Sequence, residues 1–186
     1  MDHYLDIRLE PDPEFPAPTL MGALVSKLHR ALVELGANDI GISLPEHERY
    51  PPLGATLRLH GSVSRLQALM EIQWLKGMRD HVTLDGIKPV PADVTHRVVR
   101  RRQYKTNPER LRRRRMRRHN ESYEEAARRI PDAVERQVTT PYVVVRSRSS
   151  GQAFALFIEH GDCQDAPVTG VFSTYGLSKE ATVPWF

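Results

Sequence analysis

Cysteine is nearly absent: Cys163 stands alone among 186 residues. One thiol excludes an internal disulfide and a cysteine-built zinc site. Long apolar runs are missing too, none approaching the roughly 18 residues that cross a bilayer. The start, MDHYLDIRLEPDPEF, lacks the basic residues and apolar stretch of a secretory signal. These absences lead to the expectation of a cytoplasmic protein. Acidic residues are scarce in one place: between Arg100 and Arg118, Glu109 alone opposes ten arginines and Lys105. Of 27 basic and 23 acidic residues in the chain, 11 and 1 lie there and 16 and 22 elsewhere, a balance of +10 against −6. A mildly acidic body with one intensely basic segment is the footprint of a polyanion-binding site. A merely solvated face would mix its signs.

The first half reads as a compact unit of strands and helices. In YLDIRL, Leu5, Ile7 and Leu9 alternate with Tyr4, Asp6 and Arg8, the pattern of a half-buried strand. Leu20, Leu24, Leu28, Ala31, Leu32 and Leu35 then recur at helical spacing, and Gly36 is placed to stop the helix. DIGISL and TLRLHGS are the next strands, SRLQALMEIQWLKGM a second amphipathic helix and HVTLDGI a fourth strand. The order βαββαβ is the ferredoxin-like arrangement. Pro89 and Pro91 in KPVPADV mark a boundary. The fold class expected is therefore α+β: a ferredoxin-like domain over residues 1–93, and a domain over 94–186 carrying an arginine-rich helix.

In the second half, HRVVRRRQYK reads as a strand or extended linker. Asn107, Pro108 and Glu109 suit the N-cap and first turn of a helix. Along it, Arg110, Arg113, Arg114, Arg117 and Arg118 fall on one face about 12 Å long. Leu111 and Met116 lie off that face as candidate anchors. Ser122 with Glu125 is a capping box opening another helix. PYVVVRS and QAFALFIEH are strands. Guanidinium groups grip phosphates bidentately and read the edge of guanine. Duplex DNA, structured RNA and an anionic membrane all offer such anions, the membrane least, because the helix lacks a broad apolar face. Arg101 and Gln103 are two apart, and in extended chain they point the same way, one suited to guanine and the other to adenine.

Several spaced segments, NPERLRRR with MRRH, RS-S-GQ-F, YGLSK…VPWF, MDHYLDIRL and KLH-AL, together resemble the CRISPR repeat-RNA endoribonucleases of type I-F systems, nearly end to end. The resemblance implies an N-terminal ferredoxin-like domain and an arginine-rich helix in the C-terminal part. It implies an enzyme that cuts the precursor transcript at the base of a repeat hairpin, stays bound to the product, and needs neither metal nor other cofactor. The partners implied are that hairpin RNA and other subunits of a type I-F surveillance complex, with no membrane. Its catalytic histidine falls on His29, its active-site serine on Ser147 with a supporting serine at Ser149, and its tyrosine on Tyr175. The base-reading pair falls on Arg101 and Gln103, the groove-binding arginines on Arg113, Arg114, Arg117 and Arg118, and the stacking aromatic on Phe154. Two departures stand out: Arg102 and Arg148 are charged where the family pattern is not, and the superfamily's glycine-rich loop is reduced to Gly170 and Gly176.

The residues suit that chemistry. RNA cleavage of this kind uses the substrate's own 2′-hydroxyl, which needs a base to take its proton, and imidazole serves at neutral pH. His29 sits at the rim of its helix's apolar stripe, as at a cleft edge. Ser147 would fix the sugar, and Tyr175 would orient His29 or the phosphate. Phe154 alternates with Leu156 and Ile158, which by itself points to burial; beside RNA its ring would stack on a base. EHER and EHGDCQD follow no recognised metal-ligand spacing. A hairpin-binding protein without chemistry is the alternative, and a duplex-DNA binder the third.

Overall fold

A computed structural model describes residues 1–48, 52–104, 108–131, 139–147 and 151–186, with the backbone alone for Pro108 and Arg110. The expected cap residue Asn107 lies outside that set. The described residues form an α+β protein with two antiparallel sheets and four α-helices. They divide into two compact units, Met1–Arg102 with Pro141–Phe186, and Gln103–Thr140.

The first unit opens with β1 (His3–Leu9) and α1 (Ala17–Leu35). Leu5, Ile7 and Leu9 are buried as their alternation requires, but so is Asp6 on the opposite face. Arg58 explains it: its guanidinium grips both carboxylate oxygens at 2.7 and 2.8 Å and lies within cation–π distance of the rings of Tyr4 and Phe186, which meet each other edge-on. A buried charge is tolerable when paired and hydrogen-bonded in this way. α1 ends at Gly36, whose φ of +61° lets the chain turn back so that the Ala37 N–H bonds the Leu32 carbonyl.

β2 (Gly41–Ser43), β3 (Thr56–Gly61), α2 (Val63–Glu71), β4 (Val82–Leu84) and β5 (Lys88–Pro89) follow. The first sheet runs β2-β3-β1-β4, with β5 also on β1. α2 is capped by Ser62 and is shorter than the apolar spacing to Met78 suggests. Gln73 takes φ +45° and Gly77 φ +77°, left-handed backbone that a helix cannot continue, so residues 72–78 become turns.

The second sheet runs β7-β8-β6-β9, from β6 (Thr95–Arg102), β7 (Tyr142–Arg146), β8 (Ala153–His160) and β9 (Thr182–Trp185). The two sheets draw their strands from opposite sides of residue 93, yet Leu24, Leu28 and Ile42 join Val143, Leu156 and Val183 in one apolar core. α1 crosses β7 at Gly22, where a Cβ would stand 2.4 Å from the Val144 carbonyl oxygen. Only glycine allows that approach.

The second unit holds α3 (Pro108–His119) and α4 (Tyr123–Arg129), packed on each other. Ser122 and Glu125 form the capping box anticipated for α4, each side chain meeting the other's backbone N–H. No helix among the described residues is long and apolar enough to cross a membrane.

Candidate functional site

α1 carries His29 half-buried at a cleft of about 900 Å³. Ser147 reaches the same cleft from the end of β7, Phe154 from β8, and Tyr175 from the turn before β9. Four residues spread over 147 positions of sequence are thus brought together. Ser149 lies outside the described residues.

The turn bearing Tyr175 is fixed from several sides. The Ser173 N–H bonds the Leu177 carbonyl, the Gly176 N–H bonds the Ser173 carbonyl, and the Gly176 carbonyl accepts from the Ile42 N–H at 2.9 Å. Gly176 has φ +69°, and a Cβ there would stand 2.6 Å from the Ile42 side chain, so the turn requires glycine. His29 rests on this turn in two ways. Its ring stacks on Tyr175 with centroids 4.1 Å apart and planes 1° from parallel. Its Nδ1 lies 3.0 Å from the Thr174 carbonyl oxygen. A carbonyl only accepts, so Nδ1 carries the proton and, in the neutral ring, Nε2 holds the lone pair. Burial raises the Tyr175 phenol above its ordinary range, with the Arg101 charge acting in the opposite sense. Tyr175 is a neutral phenol at physiological pH.

The backbone of Ser147 is bonded twice: its N–H donates to the Gln152 carbonyl and its carbonyl accepts from the Gly151 N–H, both at 2.8 Å. Gly151 is left-handed, φ +67°. Arg101, on β6, places its guanidinium carbon 5.5 Å from the Phe154 ring centre, a cation–π contact. Its neighbours Arg100 and Arg102 turn to the other face of the strand, where both bind Glu159. Gln103 is exposed just past the end of β6.

On α3, Arg113, Arg114, Arg117 and Arg118 are all exposed. No acidic side chain pairs with Arg114, Arg117 or Arg118 among the described residues, while Arg113 meets Glu109 at 3.1 Å. Arg112 is different: it is buried, donating to the Ile130 carbonyl at 2.9 and 2.7 Å and to the Tyr123 hydroxyl. Arg115 grips Glu121 bidentately at 2.7 and 2.9 Å and, as the main cause, holds that carboxyl below its usual range. Leu111 and Met116 are half-buried. The helix therefore spends two arginines on its own fold and leaves an exposed row of four.

The family model described as CRISPR-associated protein (Cas_Csy4) matches residues 4–186. The chain belongs to this family. It is 53% identical over its full length, and the full length of the relative, to a protein of Pseudomonas aeruginosa (strain UCBPP-PA14) named CRISPR-associated endonuclease Cas6/Csy4. A protein of the same name from Escherichia coli (strain UTI89 / UPEC) is 48% identical, again over all of both chains. Among solved structures, a chain described as an RAMP protein binding different RNA substrates aligns over 98% of this chain and 99% of its own at 11% identity and a TM-score of 0.36.

Within this Csy4-family chain, the backbone carbonyl of Thr174 has no side-chain signature, and sequence reasoning passed over it. Gly22 was equally silent, since it sits at no residue pattern that announces close approach, whereas Gly176 was marked only as a remnant of a glycine-rich loop and not as a packing contact. Among the described residues no three of His, Cys, Asp and Glu gather where they could hold a metal ion.

Proposed function

We propose that this chain is an endoribonuclease that cuts precursor CRISPR RNA at the base of the repeat hairpin and keeps the hairpin product. Family membership and two full-length relatives named as endonucleases support the activity class. The observation that carries the chemistry is His29: its Nδ1 proton is committed to Thr174, its ring is stacked on Tyr175, and Nε2 keeps a lone pair in a cleft shared with Ser147.

Nε2 takes the proton of the 2′-hydroxyl as that oxygen attacks phosphorus, and the bond from phosphorus to the 5′-oxygen breaks. The 5′-oxygen acquires a proton from water. The products are a 2′,3′-cyclic phosphate and a 5′-hydroxyl, and no metal takes part. Ser147 holds the ribose, with Ser149 in support, and Tyr175 positions the imidazole. Arg101 and Gln103 read bases near the foot of the stem, Phe154 stacks beside the cut, and the row Arg113, Arg114, Arg117 and Arg118, with Arg110, grips the stem phosphates. A-form RNA has a narrow major groove, but a short stem is open at its ends to an arginine helix.

The first sheet is read as ferredoxin-like, supported by its element order βαββαβ and strand order β2-β3-β1-β4. Residues 1–93 would be that domain and 94–186 the RNA-binding part. The setting is the cytoplasm, in company with other subunits of a type I-F surveillance complex.

The test offers the protein a type I-F repeat hairpin in EDTA, beside the same RNA with one 2′-deoxy sugar at the cut. Cleavage of the first and binding without cleavage of the second is the expected result. Tight binding with no cleavage of either would leave a hairpin-binding protein. Equal affinity for a DNA hairpin would point to duplex DNA instead.

A further inference from the structure

The cleft around His29 is larger than one reacting phosphate requires. Besides His29, Ser147 and Phe154 it is lined by Lys27 and Arg30 on α1 and by Lys76 in the turns after α2. At 100° per residue, Arg30 and Lys27 stand 100° and 160° round α1 from His29 in the same sense. Lys27 donates to the Lys76 carbonyl at 2.7 Å, joining the helix to those turns as a rim. Four cations line the cleft, Lys27, Arg30, Lys76 and Arg146, against the single carboxylate of Glu34. Arg30, Lys76 and Arg146 are exposed, and no acidic side chain pairs with them among the described residues. Elsewhere in this unit Arg8, Arg58, Arg65, Arg100 and Arg102 each meet a carboxylate. Positive charge without a carboxylate partner thus lines the cleft at Arg30 and Lys76, and at Arg146 beside Ser147.

We propose that the α1 side of the cleft is a track for single-stranded RNA downstream of the cut, with Arg30 and Lys76 holding phosphates 3′ of the scissile bond. This rests on the reading above, in which the foot of the stem lies at Arg101 and Phe154; a strand that crosses His29 from there runs onto Arg30 and Lys76. Holding the leaving strand also keeps the 5′-oxygen in line with the attacking 2′-oxygen.

Two uncleavable RNAs test it, both with a 2′-deoxy sugar at the cut: a repeat hairpin ending one nucleotide past the cut, and the same hairpin extended by about eight unpaired nucleotides. The full-length protein binds the longer RNA about fivefold more tightly at low salt. Arg30→Ala with Lys76→Ala brings that ratio close to one, and Arg30→Lys with Lys76→Arg restores it. Across a salt series, the double alanine variant loses about 1.4 from the slope of log affinity on the longer RNA, at roughly 0.7 per single-strand phosphate. Equal affinity for the two RNAs in the unaltered protein, or a ratio kept by the double alanine variant, overturns the track. Failure to cut the unmodified hairpins would overturn the nuclease reading alone, because the affinity ratio is measured without cleavage.

Discussion

The rings of His29 and Tyr175 lie face to face, 4.1 Å between centres and 1° from parallel, although 146 positions separate them in the chain. The contact fixes the imidazole plane, while Thr174 fixes its tautomer. If Tyr175 acts by stacking, Tyr175→Phe keeps most of the cleavage rate and Tyr175→Leu loses about 3- to 10-fold, the equivalent of one aromatic pair. Single-turnover cleavage of the repeat hairpin measures both. Equal loss in both variants would assign the work to the hydroxyl.

His29→Ala removes the proposed base itself and lowers the single-turnover rate by about 10²–10⁴ while hairpin affinity stays near its original value. A normal rate in that variant would sink the assignment of the base.

Gly22 sets the distance between the helix that carries His29 and the strand that leads into Ser147. A methyl group there meets the Val144 carbonyl at 2.4 Å, and backbone cannot swing aside as a long side chain would. Gly22→Ala is expected to lower stability by about 1–3 kcal/mol, the range of overpacked cores, and to slow cleavage of bound RNA. Urea denaturation reads the first effect and single-turnover kinetics the second. A variant of unchanged stability would mean that α1 does not rest on β7 there.

Much of this architecture was legible in residue spacing. The alternation of Leu5, Ile7 and Leu9 and the helical run from Leu20 to Leu32 each buried the face they advertised. What spacing could not carry was pairing at a distance. Asp6 looked like an outward residue because its partner Arg58 lies 52 positions away. β9 went unassigned because VPWF becomes a strand only by pairing with β6. α2 stops early because Gln73 turns left-handed, a backbone state that no local residue signal announced. The candidate site followed the same division. Helical periodicity separated Arg113, Arg114, Arg117 and Arg118 from Arg112 and Arg115, but what the latter two hold, Ile130 and Glu121, depends on the residues that flank the next helix.

That separation has measurable consequences. Arg112→Ala leaves the Ile130 carbonyl without its guanidinium donors and opens space between α3 and α4. The expected cost is about 1–3 kcal/mol, local to residues 108–130 and visible as faster amide hydrogen exchange there. Arg114→Ala, Arg117→Ala and Arg118→Ala leave exchange unchanged and weaken hairpin binding. Each lowers the slope of log affinity against log salt by about 0.7–0.9, one phosphate contact apiece. An unchanged slope in all three would show that this face does not meet RNA phosphates.

Acid should loosen the body of the protein well before its carboxylates titrate. His60 is fully buried against the Ser43 hydroxyl, and burial brings it down to about 3. His160 accepts the Leu44 N–H at Nε2 and stacks on His47 at 4.0 Å; burial first, then the charges of His47 and Arg97, bring it to about 3 as well. A proton on Nε2 would cost His160 its bond from Leu44. Both rings therefore stay neutral in the fold, whereas in the unfolded chain they protonate near pH 6.5. The unfolded chain binds more protons between pH 6.5 and 3, so stability is present in full above 6.5 and falls as the pH drops through that window. The slope is about 1.4 kcal/mol per pH unit for each histidine. Asp12, Asp85, Glu121 and Glu125 are held below their ordinary carboxylate range, so the interval from 6.5 to 5 belongs chiefly to the histidines. Urea midpoints measured from pH 7.5 to 5 should fall steadily below 6.5; burial lowers the neighbouring His47 in the same sense, so His160→Gln should flatten part of that fall and His60 and His47 carry the rest. A midpoint that stays constant down to pH 5 would mean that neither ring is held neutral by the fold.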